Sequence, residues 1–551
     1  MTEPSEQPSA ASALTLAADF PAADHRQWQE LVAGVLRKGG RDTDADPERA
    51  LSATTYDGIT IKPLYTAADV ADLPPAGVPG LPPYVRGARA QGRTAGWDNR
   101  PLHADPDAAA TNAAVLADLE NGASSIWLRD LPPSSLPEVL NGVYVDLAPV
   151  VLDAGERFED AADALLEVFA ERDIPDAEVI GTMGADPIGL RARTGEPHQL
   201  RPAAEFAARI AAGYPKARST VVDATPYHDA GGSDAQELAA ALSAGVAYLR
   251  AYTVHSQLSV AQAAGQLEFR FAATADQFLT IGKLRAARRL WARVCEASGA
   301  PGVPQVQHAV TSSAMLSKRD PWVNLLRGTV ACFAAAVGGA DAVTVQPFDA
   351  AIGLPDAFSR RIARNTSSIL AEETKLAGVI DPAGGSWYVD RLTEDLARAA
   401  WREFQELESA GGIEYALESG ALADRLEATW QARAANVATR KDPLTGVSEF
   451  PNLEERAVER KPLPAGRSGG LPAVRYAQEF ERLRERAGAH PGGRPRVFLA
   501  TLGPLAQHTA RASFAANLFA AGGLEPVNPG ASTGTADVLA AYLRSHATVA
   551  C

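Results

Sequence analysis

The chain has 551 residues, 46% apolar and 22% charged, with a net charge of −15; this is the balance of a globular protein of several domains, not the basic surface that nucleic-acid binding requires. No apolar run reaches the ~18 residues needed to span a membrane, and the polar, acidic start has no signal-peptide pattern, so a cytoplasmic protein is expected. Cys295, Cys332 and Cys551 are too few and too scattered for a disulfide framework or a zinc cage.

Residues 1–18 read as disordered. A helix is expected from Asp24, with Trp28, Leu31, Val32 and Val35 on one face at 3–4 spacing. Residues 60–100 are rich in Pro, Gly and Arg and read as a long connecting arm, the kind of segment that wraps a neighbour. The first division of the chain is therefore 1–100, an N-terminal helix and an extended arm.

From residue 120 onward, short β-branched runs alternate with helical patterns. Strands are expected at Ser125–Leu128, Val143–Leu152, Glu178–Thr182, Ser219–Ala224, Leu267–Ala272, Gln305–Val310 and Ala342–Gln346, with a further short one near Gly378–Ile380. Among the intervening helices, Trp322 to Val337 runs into the stop signal Gly338-Gly339. Roughly seven or eight β-α units in series favour a (β/α)₈ TIM barrel over residues 101–425, with an open doubly wound sheet as the alternative. Residues 426–490 read as a helical and Pro/Gly-rich linker, including "ERKPLPAGRSGGLP" (459–472). Residues 491–551 carry strand, turn, helix, strand, helix and a final strand start. This reads as an incomplete flavodoxin-like α/β domain, because about sixty residues fall short of a closed fold of that type.

Three stretches carry groups able to do chemistry. "DATPYHDAGG" (223–232) follows a strand, and in an α/β barrel the strand's carboxyl end is where catalytic groups sit, so Tyr227 and His228 are candidates. The competing reading of His228 is a structural loop histidine. "QHAVTSSAM" (307–315) ends another strand with a row of small polar groups, Thr311, Ser312 and Ser313; these leave room for a slender polar ligand, or equally serve helix capping and turn formation. "LPDAFSRRIARNTSSILAEE" (354–373) places Arg360, Arg361 and Arg364 within two turns, either for an anionic ligand or as a solvated, salt-bridged face.

"RIARNT" (361–366), "DPAGGSWYVD" (381–390), "KLRAARRLW" (283–291) and "RKDPLTGVSEFPNL" (440–453) together resemble the adenosylcobalamin-dependent acyl-CoA mutases. Within that family the pattern is most similar to the small (beta) subunits of bacterial heterodimeric methylmalonyl-CoA mutases. The resemblance runs from about residue 20 to the end. It implies a (β/α)₈ barrel threaded by a CoA chain, a flavodoxin-like cobalamin domain, and radical interconversion of methylmalonyl-CoA and succinyl-CoA. It also makes Arg285, His308, Thr311, Ser312, Arg361 and Arg364 CoA-binding-like positions, and Tyr227-His228 the counterpart of the family's substrate-contacting Tyr-His pair.

The same resemblance marks losses. Active members carry Asp-x-His-x-x-Gly in the first turn of the cobalamin domain, the histidine as lower cobalt ligand and the aspartate orienting it. Here the aligned segment is Leu505-Ala506-Gln507-His508-Thr509-Ala510, preceded by Thr501 in place of a lysine. For His508 to serve one residue late, its acid would be Ala506 and its glycine Arg511. Elsewhere the family's strand-end Gln is Gly184, the catalytic Tyr is replaced at Thr94 or Ala95, and "LRARTGEP" (190–197) offers no clear carboxylate-binding Arg. The expectation is a chain without its own catalysis or metal. Adenosylcobalamin would then sit on a large (alpha) subunit partner, and acyl-CoA would be a possible ligand of either barrel. The alternative is a self-sufficient acyl-CoA mutase, or a CoA-thioester-binding barrel, using His228.

Overall fold

The computed structural model describes residues 21, 23–40, 46–92, 96–532 and 534–551. The disorder expected at 1–18 and the positions Thr94 and Ala95 lie outside them. Two compact units divide at Thr66. In the first, the helix His25–Lys38 is capped by Asp24, whose carboxylate accepts from Gln27 N while Gln27 Oε1 accepts from Asp24 N. A short helix Pro47–Leu51 and a two-strand ribbon, Ala53–Thr54 with Thr60–Ile61, follow.

The second unit is built on a parallel sheet whose two terminal strands in sheet order are Asp98–Asn99 and Leu102–His103. Only Arg100 and Pro101 separate them. Proline has no N–H to donate, so the ladder breaks there while the backbone runs on. On one side Arg100 N donates to Val343 O, and on the other Trp127 N donates to Pro101 O, both at 3.0 Å. The two pieces are one interrupted strand, β1, bonded to both neighbours, and the sheet closes into an eight-stranded barrel. The remaining strands are β2 (Ile126–Arg129), β3 (Val150–Asp153), β4 (Gly181–Ala185), β5 (Ala217–Asp223), β6 (Leu267–Ala273), β7 (Gln307–Thr311) and β8 (Ala342–Thr344), paired in chain order.

Five of the seven main expected strands overlap these closely; Val143–Leu152 shrinks to its last residues, β3, and Glu178–Thr182 meets β4 only at Gly181 and Thr182, because Asp176–Glu178 is a 3₁₀ turn. The short strand expected near Gly378–Ile380 is not one: Leu376–Gly378 is a 3₁₀ turn. The eighth barrel strand is β1 instead, at the other end of the barrel segment.

Helices on the outside include α1 (Ala108–Leu119), α2 (Asp234–His255), α3 (Gln277–Ala297), α4 (Val323–Val337), α5 (Ala357–Ser368) and α6 (Trp387–Ser409). α4 ends where expected, with Gly339 at φ +84°. Part of the arm is pinned to the barrel: Tyr84 Oη donates to Gly302 O at 2.7 Å, and Arg288 donates to the carbonyls of Tyr84 and Val85 at 2.9 and 3.0 Å.

The C-terminal residues form a three-stranded parallel sheet, Glu525–Val527, Arg496–Phe498 and Val549–Ala550 in that order, with α7 (Leu505–Ala521) between its first two strands in sequence.

Candidate functional site

In β6, "LEFRFAA" alternates side-chain direction at every residue. Phe269 faces outward onto Trp291, ring centroids 4.7 Å apart, while Glu268 and Arg270 face the barrel axis. The same period brings these two groups of β6 and one inward group from each of the other seven strands into a connected network. Glu268 accepts from Arg100 (β1) at 2.5 Å and Thr182 (β4) at 2.8 Å. Arg270 donates to Asp223 (β5) at 2.8 Å, lies 3.7 Å from Asp153 (β3), and stacks 3.9 Å over Trp127 (β2). Arg270 Nε also donates to Nδ1 of His308 (β7) at 3.2 Å, and His308 Nε2 is 2.7 Å from Thr344 Oγ1 (β8).

All of these side chains except Asp153, which is partly exposed, are buried. The barrel axis is thus filled by charge and aromatic surface. Burial alone would raise Asp223, but Arg193 and Arg270 outweigh it and hold its carboxyl far below the usual range. His308 is pushed down by burial and then by Arg100 and Arg270, so it is a neutral imidazole.

Part of the mouth is covered by the Pro/Gly-rich linker. Gly470 N and Leu471 N donate to Arg193 O and Ala192 O, Val474 N to Asp229 O, and Tyr476 N to Ala314 O. Glycines permit this close seating: a Cβ on Gly469 would stand 2.5 Å from Thr194 O, and one on Gly470 2.3 Å from Ala192 O. From this strap Arg467 reaches down to Asp153 Oδ1 at 2.8 Å and Asp130 Oδ1 at 2.5 Å. Beside it, a cavity of about 740 Å³ opens at the ends of β1 and β8, lined by His103, Arg129, Ser313, Gln346, Arg360 and Lys461.

Tyr227 and His228 lie on a short helix, Thr225–Asp229, following β5. His228 Nε2 is 2.7 Å from Ser312 Oγ, and its Nδ1 is 3.8 Å from Glu237 Oε2. Burial, then Lys283, lowers His228 to about 3, so this imidazole stays neutral and is already partnered. Tyr227 Oη is buried with no hydrogen-bond partner. Thr311 Oγ1 accepts from Gln346 N at 2.8 Å. The fold therefore gathers Tyr227, His228, Thr311 and Ser312 at one end of the barrel, while His308 belongs to the axial network.

It does not bring the arginines there. Arg285, on α3, is fully buried against Asp381 and Asp390, tying α3 to the segment leading into α6. Arg364, on α5, pairs with Asp118 of α1 at 2.5 Å. Arg361 is exposed, 5.4 Å above the Phe358 ring. The residues overlooked in the sequence are Trp127, Asp153, Asp223, Glu268, Arg270 and Arg467. Charges at alternate positions of an otherwise apolar strand were the available signal for Glu268 and Arg270.

Gly184 meets a demand of the backbone. It sits at φ +82° beside a register shift in β4, and a Cβ there would meet Leu152 O at 2.1 Å.

At the C-terminal turn, α7 begins at Leu505, so Gln507 and His508 lie in its first helical turn. Both ring nitrogens of His508 are buried without a hydrogen-bond partner, and Gln507 Oε1 folds back against Gly503. No carboxylate stands in residues 499–511. An imidazole with no acid to set its tautomer does not fit the corrin's lower ligand. Among the described residues no group of three or more His, Cys, Asp or Glu is arranged to hold a metal ion.

The family model described as methylmalonyl-CoA mutase matches residues 54–135 and 133–468. The chain is 57% identical over 550 residues to the methylmalonyl-CoA mutase small subunit of Streptomyces virginiae, covering 98% of this chain and 89% of that one. It is 40% identical to the small subunit from Propionibacterium freudenreichii subsp. shermanii, covering 98% and 85%. It is 32% identical to the methylmalonyl-CoA mutase of Cereibacter sphaeroides, covering 78% and 65%. With its own closed barrel and these relatives along nearly its whole length, the chain belongs to the methylmalonyl-CoA mutase family.

Proposed function

We propose that this chain is the small subunit of a heterodimeric methylmalonyl-CoA mutase, an isomerase, and that it supports a large subunit instead of performing the rearrangement itself. The observation that carries this reading is the filled barrel. Each strand contributes a side chain to the axial network, and Arg467 occupies the mouth with its own counter-ions, leaving the axis to the chain's own groups. The turn from Thr501 to Ala510 supports it independently, since its residues do not fit a cobalt ligand. Adenosylcobalamin, on which the family depends, is accordingly assigned to the partner, as is turnover of the acyl-CoA. His228 has the burial and partners of a structural histidine, which counts against a self-sufficient enzyme built on it.

The arm over residues 60–100 is the proposed contact with the large subunit, with Val78 and Leu81 exposed on it. An obligate interface of ~2,000 Å² or more is expected, in a cytoplasmic complex. Among the described residues no helix is long and apolar enough to cross a membrane.

The test is to purify the chain alone and together with its large subunit, then measure bound cobalamin by absorbance and mutase turnover. The chain alone should bind no cobalamin and turn over nothing, and the complex should hold one corrin per pair. Saturable cobalamin binding by the isolated chain would overturn the reading.

A further inference from the structure

A second cavity, of about 920 Å³, lies on the outside of the barrel between α3 and α6. Its rim includes Pro82, Pro83, Pro301 and Gly302, and the last two precede the start of β7. The groove is therefore toward the N-terminal ends of the strands, away from Arg467 and the mouth. Leu290 and Ala397 form a buried apolar floor, and Trp401 forms a half-buried wall.

Four arginines surround it as two i,i+4 pairs, Arg289 and Arg293 on α3, Arg398 and Arg402 on α6, against only Glu296 and Glu394. The carboxylates are spread thin. Glu394 serves both Arg289 and Arg398, Glu296 serves Arg293 at 2.7 Å, and Arg402 makes no ion pair among the described residues. Arg289 is held below its ordinary range by burial and then by the like charge of Arg398. In a chain of net charge −15 this is a local surplus of positive charge, and four guanidinium groups sharing two carboxylates are stabilised by a further anion.

We propose that this groove binds a nucleoside polyphosphate, with its base against Trp401 and the apolar floor and its phosphates among the four guanidinium groups. A bare anion would need the arginines alone. The aromatic wall and a volume within the range of small-molecule pockets favour a ligand with both a flat ring and phosphates.

The purified full-length chain is titrated by calorimetry with ADP, pyrophosphate and adenosine. ADP should bind saturably, more tightly than pyrophosphate, and should weaken as salt is raised. Arg402→Glu, at an exposed and unpaired position, should weaken ADP at least tenfold without altering the fold. Trp401→Leu should weaken ADP while leaving pyrophosphate within about twofold. No saturable heat with ADP at millimolar concentration would overturn the proposal, as would ADP binding indifferent to Arg402→Glu. Pyrophosphate binding as tightly as ADP would remove the base from the assignment. A chain that takes poly-glutamate but not ADP would make the groove a protein contact.

Discussion

Arg467 donates to Asp153 Oδ1 at 2.8 Å across 314 positions of sequence, from a Pro/Gly-rich linker into the mouth of the barrel. Burial would raise the Asp153 carboxyl, but Arg467, Arg129 and Arg270 together drive it well below the usual carboxylate range. Both side chains of the pair are largely shielded, so removing one leaves a charge with fewer partners in a low-dielectric pocket. Arg467→Ala is expected to cost about 2 kcal/mol, less than the full value for a buried pair because Arg129 and Arg270 remain. The loss should appear as faster proteolytic cleavage within 459–472. Cleavage at the parent rate would mean that the strap is held by its backbone bonds alone.

At Gly184 two demands coincide, a left-handed backbone and a carbonyl 2.1 Å from where a Cβ would sit. Placing the longer glutamine there with Gly184→Gln should therefore destabilise the barrel by about 3 kcal/mol, combining backbone strain with steric displacement of β3. Thermal unfolding of the variant measures this. An unchanged midpoint would show that β4 can relax, and that the glycine reflects only lost chemistry.

Much of this architecture was readable from composition and period. β2 and β5 to β8 are β-branched or apolar runs between helical patterns, and such runs announce buried parallel strands. β1 was not readable, because "DNRPLH" is polar and carries a proline, and only closure of the sheet makes it a strand. Arg467 was equally hidden: nothing local in "PLPAGRSGG" says that the guanidinium has two carboxylates waiting across the barrel mouth. What the turn at 501–511 lacks is legible in the sequence, because the absence of any carboxylate there rests on residue identity alone. The partners of the arginine-bearing helices were not legible, since a motif that names a family does not say which face of its helix packs inward: Arg285 and Arg364 are held by carboxylates of other segments, while Arg361 is exposed.

Asp186 is raised to about 7 by burial and then by the neighbouring Asp223 charge, with Tyr248 Oη and Gly189 N donating to it in opposition. A carboxyl whose folded value lies above its unfolded value near 3.9 contributes stability below pH ~4 that is lost as pH rises toward 7. His228, lowered to about 3, works in the other direction: its contribution is present above ~6.5 and lost as pH falls. Comparing the parent with Asp186→Asn cancels the histidine and isolates the carboxyl, while Asn retains an oxygen for Gly189 N. The variant should gain stability relative to the parent between pH 4 and 7. A difference that stays constant across that window in denaturant titrations would show that Asp186 is ionised throughout.

Arg285 and Arg361 separate a structural arginine from a surface one. Arg285 is fully buried, and without it Asp390 loses the partner held at 2.6 Å while Asp381 keeps only Arg86. Arg285→Met fills the space but leaves these acids short of positive charge, which should cost about 3 kcal/mol, the lower end for breaking a buried pair. Arg361 is exposed and lies over the Phe358 face with no ion pair among the described residues, so Arg361→Ala should stay within about 0.5 kcal/mol of the parent. Chemical denaturation of both variants decides the matter. If Arg285→Met proves as stable as the parent, its ion pairs do not clamp α3 to the α6 side, and a ligand-binding role for this arginine returns to consideration.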